Sequence, residues 1–181
     1  MRSRAPKRAA HLERADPYAS GMSSDRRQLF RFWRDGYQAL SGLHRLVADS
    51  GLEASLLELV RMRASQINGC AYCIDMHAKD ARRGGETEQR LYALDAWCES
   101  PFFTQRERAA LALTEAVTLI STAHRSEDVI EAASSQFPPE QLSHLLYAII
   151  EINSWNRLAI TTGSPQPGSY VPPEGGSGRS E

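Results

Sequence analysis

Helical periodicity runs through almost the whole middle of this chain, and no stretch shows the two-residue alternation of a half-buried strand. In EASLLELVRMRASQI, Leu56, Val60, Arg63 and Ile67, with Leu57 and Ala64 beside them, form a mostly apolar face. Phe30, Trp33, Tyr37, Leu40 and Val47 fall on one stripe of a preceding helix, or broken helix pair, that closes near Gly51. Turn chemistry marks the breaks that follow: Asn68-Gly69, then Gly84-Gly85, then Ser100-Pro101. Between them lie a helix from about Cys70 to Arg83 and a short one over TEQRLYALDAWC. Thr104 and Glu107 make a capping box that opens ALALTEAVTLI. SEDVIEAASSQF reads as a sixth helix, and Pro138-Pro139 starts a long seventh through QLSHLLYAIIEINSWNRLAI. The pattern predicts an all-α bundle of about six to seven helices, a single domain over residues 25–162.

The flanks read differently. Residues 1–24 are polar, basic and without period, and residues 163–181 are rich in Gly, Pro and Ser, so both are expected to be disordered. Met22 stands just before the periodic pattern begins, which makes it a candidate start. Nine Arg/Lys fall within residues 1–34, yet the net charge of the whole chain is −1, and no global basic field points to nucleic acid. No apolar run has the length to span a bilayer, and the N-terminal arm lacks the apolar stretch of a signal peptide. The expected address is the cytoplasm, with no membrane partner. Three cysteines do not make a disulfide framework, and in such a chain a C-x-x-C reads as redox-active or metal-binding.

That C-x-x-C lies in NGCAYCIDMH, residues 68–77. On a helix, Cys70, Cys73 and His77 point the same way, with Met76 near them. The Asn-Gly break places both sulfurs in a first turn, where free N–H groups and the helix dipole favour a thiolate. His77, one turn deeper, is placed to take a thiol proton or to hold it in an ion pair. Three other readings are weighed against thiol chemistry. Tetrahedral zinc wants a fourth ligand, and no spacing singles out His44, His124 or His144 to supply it, while Cys98 is isolated. Covalent haem attachment needs His directly after the second Cys, where this chain has Ile74, so haem is set aside. Two core cysteines beside a satisfied histidine form the third reading, and thiol redox chemistry is favoured over it.

The stretch LLELVRMRASQINGCAYCIDMHAKDARRGGETEQRLYAL resembles the AhpD-like alkylhydroperoxidase branch of the carboxymuconolactone decarboxylase family. The mark of that family is a Glu followed about a dozen residues later by C-x-x-C-x-x-x-H, matched by Glu58, Cys70, Cys73 and His77. INSWNRLAI is similar to a further stretch of its small members, so the likeness covers roughly residues 25–162. The resemblance implies an all-helical fold assembled as a homo-oligomer, a trimer or a hexamer. It implies that Cys73 attacks a small organic hydroperoxide, that Cys70 resolves the sulfenic acid to a disulfide, and that His77 and Glu58 relay the proton. No metal or cofactor is implied beyond the Cys70–Cys73 disulfide, which an external dithiol or a thioredoxin-like reductant would restore. A non-peroxidatic thiol–disulfide oxidoreductase or redox sensor is the alternative. Decarboxylation of a lactone acid is less favoured, since that branch generally lacks the C-x-x-C.

Two residues test the resemblance. Twelve residues before Cys70, Glu58 would lie about 120° from the cysteine face on a continuous helix, and it joins the cluster only if Asn68-Gly69 folds the helices back. Otherwise it is a surface carboxylate paired with Arg61 or Arg63. Tyr72 stands between the cysteines, where some members carry a second histidine, and it is expected to donate a hydrogen bond to a bound peroxide. Asn153 and Asn156 share the stripe of Leu142, Leu146, Ile149 and Ile160, and a structural role is favoured for them. Trp33 and Trp155 are expected in the core or an interface, Arg157 against Glu151 or an interface, and His44 in the core.

Overall fold

The computed structural model describes Leu29 and residues 33–122, 127–163 and 165–173. Among these, seven α-helices and one short 3₁₀ turn are present and no strand, so the chain is all-α as expected. The helices are α1 (Arg34–Ala48), α2 (Ala54–Asn68), α3 (Ala71–Arg83), α4 (Glu88–Ala93, continued by the 3₁₀ turn Leu94–Ala96), α5 (Gln105–Thr118), α6 (Glu127–Gln136) and α7 (Pro139–Thr162). The arm of residues 1–24, Phe30 and His124 lie outside the described residues.

The punctuation seen in the sequence works through specific hydrogen bonds. Asn68 ends α2 and Gly69 follows at φ 70°, letting the Cys70 N–H reach back to Ser65 O at 2.9 Å. That backward bond satisfies an otherwise orphaned carbonyl and turns the chain sharply. Gly85, at φ 95°, does the same for α3, with the Glu86 N–H on Ala81 O at 2.9 Å. Both arms of the Thr104–Glu107 capping box are made, and Pro139 occupies the first turn of α7.

Helix α2 sits at the centre and buries more than the one stripe read from its sequence. Leu56, Leu57 and Val60 pack with Ala110 and Leu113 of α5, Phe137 at the end of α6, and Leu145 and Ile149 of α7. On its other side Leu59 and Met62 join Ala81, Leu91, Leu94, Trp97, Phe103 and Leu111 in a second cluster. A helix wedged between two cores is apolar over most of its circumference, so a single stripe underestimates it. Arg61 and Ser65 are consequently buried, while Arg63 is only half-buried.

Expectations for α1 need correction. Trp33 is 74% exposed and Tyr37 is also exposed; Val47, at the far end, is the fully buried member of the described stripe. Helix α1 meets the core through Leu43 and Val47, and its first turns stand clear of it. Along α7, Leu146 and Ile160 face outward, and the buried row is Leu145, Ala148, Ile149, Ile152, Asn153 and Asn156. Residues 165–173, read from composition as part of a disordered tail, instead run along the outside of α3. The Gly168 N–H donates to Asp75 Oδ2 at 3.0 Å, Lys79 Nζ to Tyr170 O at 2.9 Å, and Arg83 to Pro173 O. Regularly spaced charges on α3 thus supply the partners that this Gly/Pro-rich segment cannot make for itself.

Candidate active site

Cys70 is the N-cap residue of α3, and Cys73 lies in the first turn. Their sulfurs are paired as a disulfide, with the Cα atoms 5.3 Å apart. Each cysteine is 2% exposed and His77, one turn further along the same face, is 3% exposed.

The turn at Gly69 settles where Glu58 goes. It folds α3 back along α2, and Glu58 Oε2 meets His77 Nδ1 at 2.8 Å. Burial pushes the Glu58 carboxyl up, but the His77 hydrogen bond and charge, with Arg61, outweigh that and hold it below its usual value. An ionised Glu58 accepts from Nδ1–H, and in the neutral form of the ring that tautomer leaves Nε2 as the lone-pair nitrogen. Nε2 is buried and has no hydrogen-bond partner. A base held in one tautomer, one turn from a cysteine at a helix start, is suited to taking and returning a thiol proton.

Behind Glu58 runs a buried chain of charge that sequence reasoning missed. Arg61 donates from its guanidinium to Glu58 Oε1 at 2.8 Å, and its Nε lies 3.7 Å from Glu151 Oε2. Glu151 is 1% exposed, and its other oxygen meets His44 Nδ1 at 2.8 Å. His44 is therefore no core histidine: its side chain is 43% exposed and caps a buried carboxylate. Arg157 does not pair with Glu151; it bonds Asn153 O and Oδ1 within its own helix at 2.9 and 2.8 Å. A glutamate in the apolar run Ala148–Ile152 was the available signal, because a carboxylate there needs a buried cation.

Asn153 and Asn156 take the structural role expected of them. Asn68 Nδ2 donates to Asn153 Oδ1 at 3.0 Å and to Asn156 Oδ1 at 2.9 Å, and Asn156 Nδ2 donates to Ser65 Oγ at 3.0 Å. These bonds pin the turn that carries Cys70 to α7. Trp155, half-buried, meets the Tyr37 ring edge-on at 5.3 Å. Tyr72 is half-buried, and burial first, then the charges of Tyr37, Asp75 and Asp80, push its hydroxyl up, so it stays a donor.

Among the described residues, Glu58, His77 and Asp80 bring their ligand-capable atoms within 4.8 Å of one another. Among the described residues the group does not include the cysteines, His44 or His144, so a four-ligand set completed by either of those histidines is not assembled; His124 lies outside the described residues. Its members also have internal partners: Glu58 is held by His77 and Arg61, and Asp80 accepts from the Tyr170 hydroxyl at 2.8 and 2.9 Å. No helix of the described residues is long and apolar enough to cross a membrane.

Fold and site together define an all-α protein with a paired dithiol at a helix start. The chain belongs to the carboxymuconolactone decarboxylase family, which residues 34–116 match, and is an AhpD-like member of it. It is 38% identical over 141 residues to the uncharacterized protein YdfG of Bacillus subtilis, covering 78% of this chain and 96% of that one. The crystal structure of Agrobacterium tumefaciens ATU0492, a protein of unknown function described as a candidate antioxidant defence protein AhpD, is 38% identical and superposes with a TM-score of 0.73 over 76% of this chain and 94% of its own. An AhpD core from Ralstonia eutropha JMP134, an uncharacterized peroxidase-related protein, shares the fold at 22% identity, with a TM-score of 0.66 over 77% of this chain and 74% of its own.

Proposed function

We propose that this chain is a thiol-dependent peroxidase that reduces small organic hydroperoxides through Cys70 and Cys73. The observation that carries the reading is the 2.8 Å His77–Glu58 pair set one turn beyond a C-x-x-C disulfide. In the reduced state, His77 Nε2 takes the Cys73 proton. The thiolate attacks the distal peroxide oxygen, the O–O bond breaks, and His77 returns the proton to the departing alkoxide as an alcohol. Cys73 is now a sulfenic acid. Cys70 displaces its hydroxyl as water, forming the disulfide, and an external dithiol or thioredoxin-like protein takes over the oxidation and returns both thiols. Tyr72 donates a hydrogen bond to the incoming peroxide. A reducing compartment such as the cytoplasm suits this cycle.

Homo-oligomerisation belongs to the same proposal. Trp33 on α1 and Leu146, Tyr147, Ile150 and Ile160 on α7 are exposed apolar side chains that a second copy of this chain would cover. The burial of both sulfurs supports a second reading, a thiol–disulfide sensor that cycles without a peroxide substrate.

Mass spectrometry of trapped thiols after graded cumene hydroperoxide pulses separates the two. The peroxidase gives one disulfide and one alcohol per chain at stoichiometric peroxide, and Cys73→Ser gives neither. A reduced wild type that consumes no hydroperoxide faster than a free dithiol overturns the peroxidase reading. A reversible titration of the pair in that same protein would then select the sensor.

A further inference from the structure

The segment over residues 165–173 does more than cover a helix. It delivers one aromatic hydroxyl to the edge of the site, and nothing in the C-x-x-C-x-x-x-H pattern accounts for it. Tyr170 is half-buried, and its hydroxyl donates to both oxygens of Asp80, at 2.8 and 2.9 Å. Asp80, one turn beyond His77 on α3, has an oxygen within 4.8 Å of the ligand-capable atoms of both His77 and Glu58. Two carboxylates therefore flank one imidazole, and Glu58 is paired with the Arg61 guanidinium. Tyr170 is anchored on both sides, by Gly168 on Asp75 and Pro173 on Arg83, while its own carbonyl is held by Lys79. Contacts on either side of a single aromatic residue fix where its hydroxyl points.

We propose that Tyr170 is a positioning residue of the site, acting through Asp80 to set how tightly the His77–Glu58 pair holds its proton. The inference rests on the thiol-redox reading for its purpose, though not for its geometry. Two anions close to an imidazole favour its protonated form, and a protonated His77 cannot take the Cys73 proton. A donor on both Asp80 oxygens draws that negative charge outward and holds the carboxylate in place. Burial, then the Asp80 hydrogen bond and charge, push the Tyr170 hydroxyl up to about 12, so it remains a donor across the working range.

The charged and titratable groups around His77 can be named by element. Helix α2 contributes Glu58 and Arg61, α3 contributes Asp80 with Asp75 and Lys79 on its outer side, and α7 contributes Glu151 through Arg61. Tyr72 lies in the first turn of α3, Arg83 in its last, and Tyr170 on the segment outside it. Of these, Tyr170 is the donor that meets Asp80 face to face on both of its oxygens.

The test uses the full-length chain and two readouts. One is the acid limb of the pH–rate profile for thiol oxidation by cumene hydroperoxide. The other is the pH midpoint of the His77 ring resonances in the oxidised protein, assigned by their loss in His77→Gln. Tyr170→Phe keeps the ring and removes the donor, and it is expected to move both midpoints up by roughly half a pH unit. Asp80→Asn is expected to move them down, and Tyr170→Phe/Asp80→Asn to match Asp80→Asn alone, because Tyr170 acts through Asp80. Unchanged midpoints in Tyr170→Phe overturn the proposal, as does an equal upward shift in the Asp80→Asn background. The ring titration needs no turnover, so a wild type inert to peroxide would sink the peroxidase reading and leave this test decisive.

Discussion

Arg61→Met is the substitution that most directly interrogates the interior of the site. Arg61 is 5% exposed and lies between two carboxylates, at 2.8 Å from Glu58 and 3.7 Å from Glu151. Methionine roughly fills the space of the side-chain stem and takes away the charge, leaving two buried anions with only His77 and His44 to face them. Stranding the partner of a buried ion pair costs about 3–5 kcal/mol. Arg61 Nε and the second guanidinium nitrogen have no hydrogen-bond partner, so the native arrangement already bears some desolvation, and the expected loss falls at the lower end, about 3 kcal/mol. For a chain of this length that corresponds to a fall of about 6–12 °C in Tm.

A pH series checks the electrostatic origin. Glu58 is held below its usual 4.5, so its contribution to stability is fully present above that value and is lost as pH falls through the depressed one. Removing Arg61 removes part of the cause, so the gap between wild type and variant should be widest at neutral pH and narrow below about 4.5. Urea unfolding from pH 7 to about pH 3 at fixed protein concentration measures both quantities. A loss under about 1 kcal/mol at pH 7, or a gap that stays flat down to about pH 3, refutes the reasoning. Adding Glu151→Gln should recover part of the loss, since it withdraws one of the stranded charges.

Glu58→Gln keeps a hydrogen-bond acceptor for His77 and abolishes the anion; thiol oxidation by hydroperoxide should slow by on the order of 100-fold, read from stopped-flow loss of free thiol. Asn156→Ala removes the bond that Ser65 Oγ accepts and one of the two that Asn68 Nδ2 donates, in a fully buried place, while Ser65 keeps its bond to Arg61 O; urea unfolding should show a loss of about 2 kcal/mol. Ile150→Glu puts a charge in the exposed apolar row of α7; light scattering should report a smaller assembly than wild type, and an unchanged mass would remove this face from the proposed interface.

Much of the helical order was legible because its signals are local: a capping box, a proline at a helix start, a glycine after a helix end. The cysteine–histidine face followed from three residues at helical spacing on one element. What stayed hidden is held by tertiary partners. Arg61 and Glu151 are ordinary charged letters until α2 and α7 are packed, and a helix wedged between two cores has no polar side for Arg61 to occupy. Tyr170 was invisible for a different reason. The Gly, Pro and Ser around it cannot form a core alone, and its order comes from Asp75, Lys79, Asp80 and Arg83, lent by another element. Trp33 shows the opposite case, an aromatic on a periodic stripe that no other described part of the chain buries, which rules out the core half of its expectation and leaves the interface half to the proposed assembly.

Asp80 could have been found by arithmetic on the turn. Glu58 stands eleven residues before Gly69 and Asp80 eleven after it. With a rise of about 1.5 Å per residue, a sharp reversal at Gly69 brings both to the same level, about 16 Å from the bend, with His77 one turn nearer to it. The site is therefore a consequence of register, and register depends on where the reversal occurs. Gly69→Ala separates the turn's conformational cost from its geometry. Gly69 adopts φ 70°, and an added Cβ would meet nothing within 4 Å, so the cost should be only that of the left-handed backbone, about 1–2 kcal/mol. Thiol oxidation should survive, because Asn68 still ties the turn to Asn153 and Asn156 and keeps the same bend. Urea unfolding gives the first quantity and the peroxide rate the second. A loss well beyond 3 kcal/mol, or a rate that falls as far as in Glu58→Gln, would mean that the bend is held by Gly69 itself and not by the asparagines, and the register argument would fail with it.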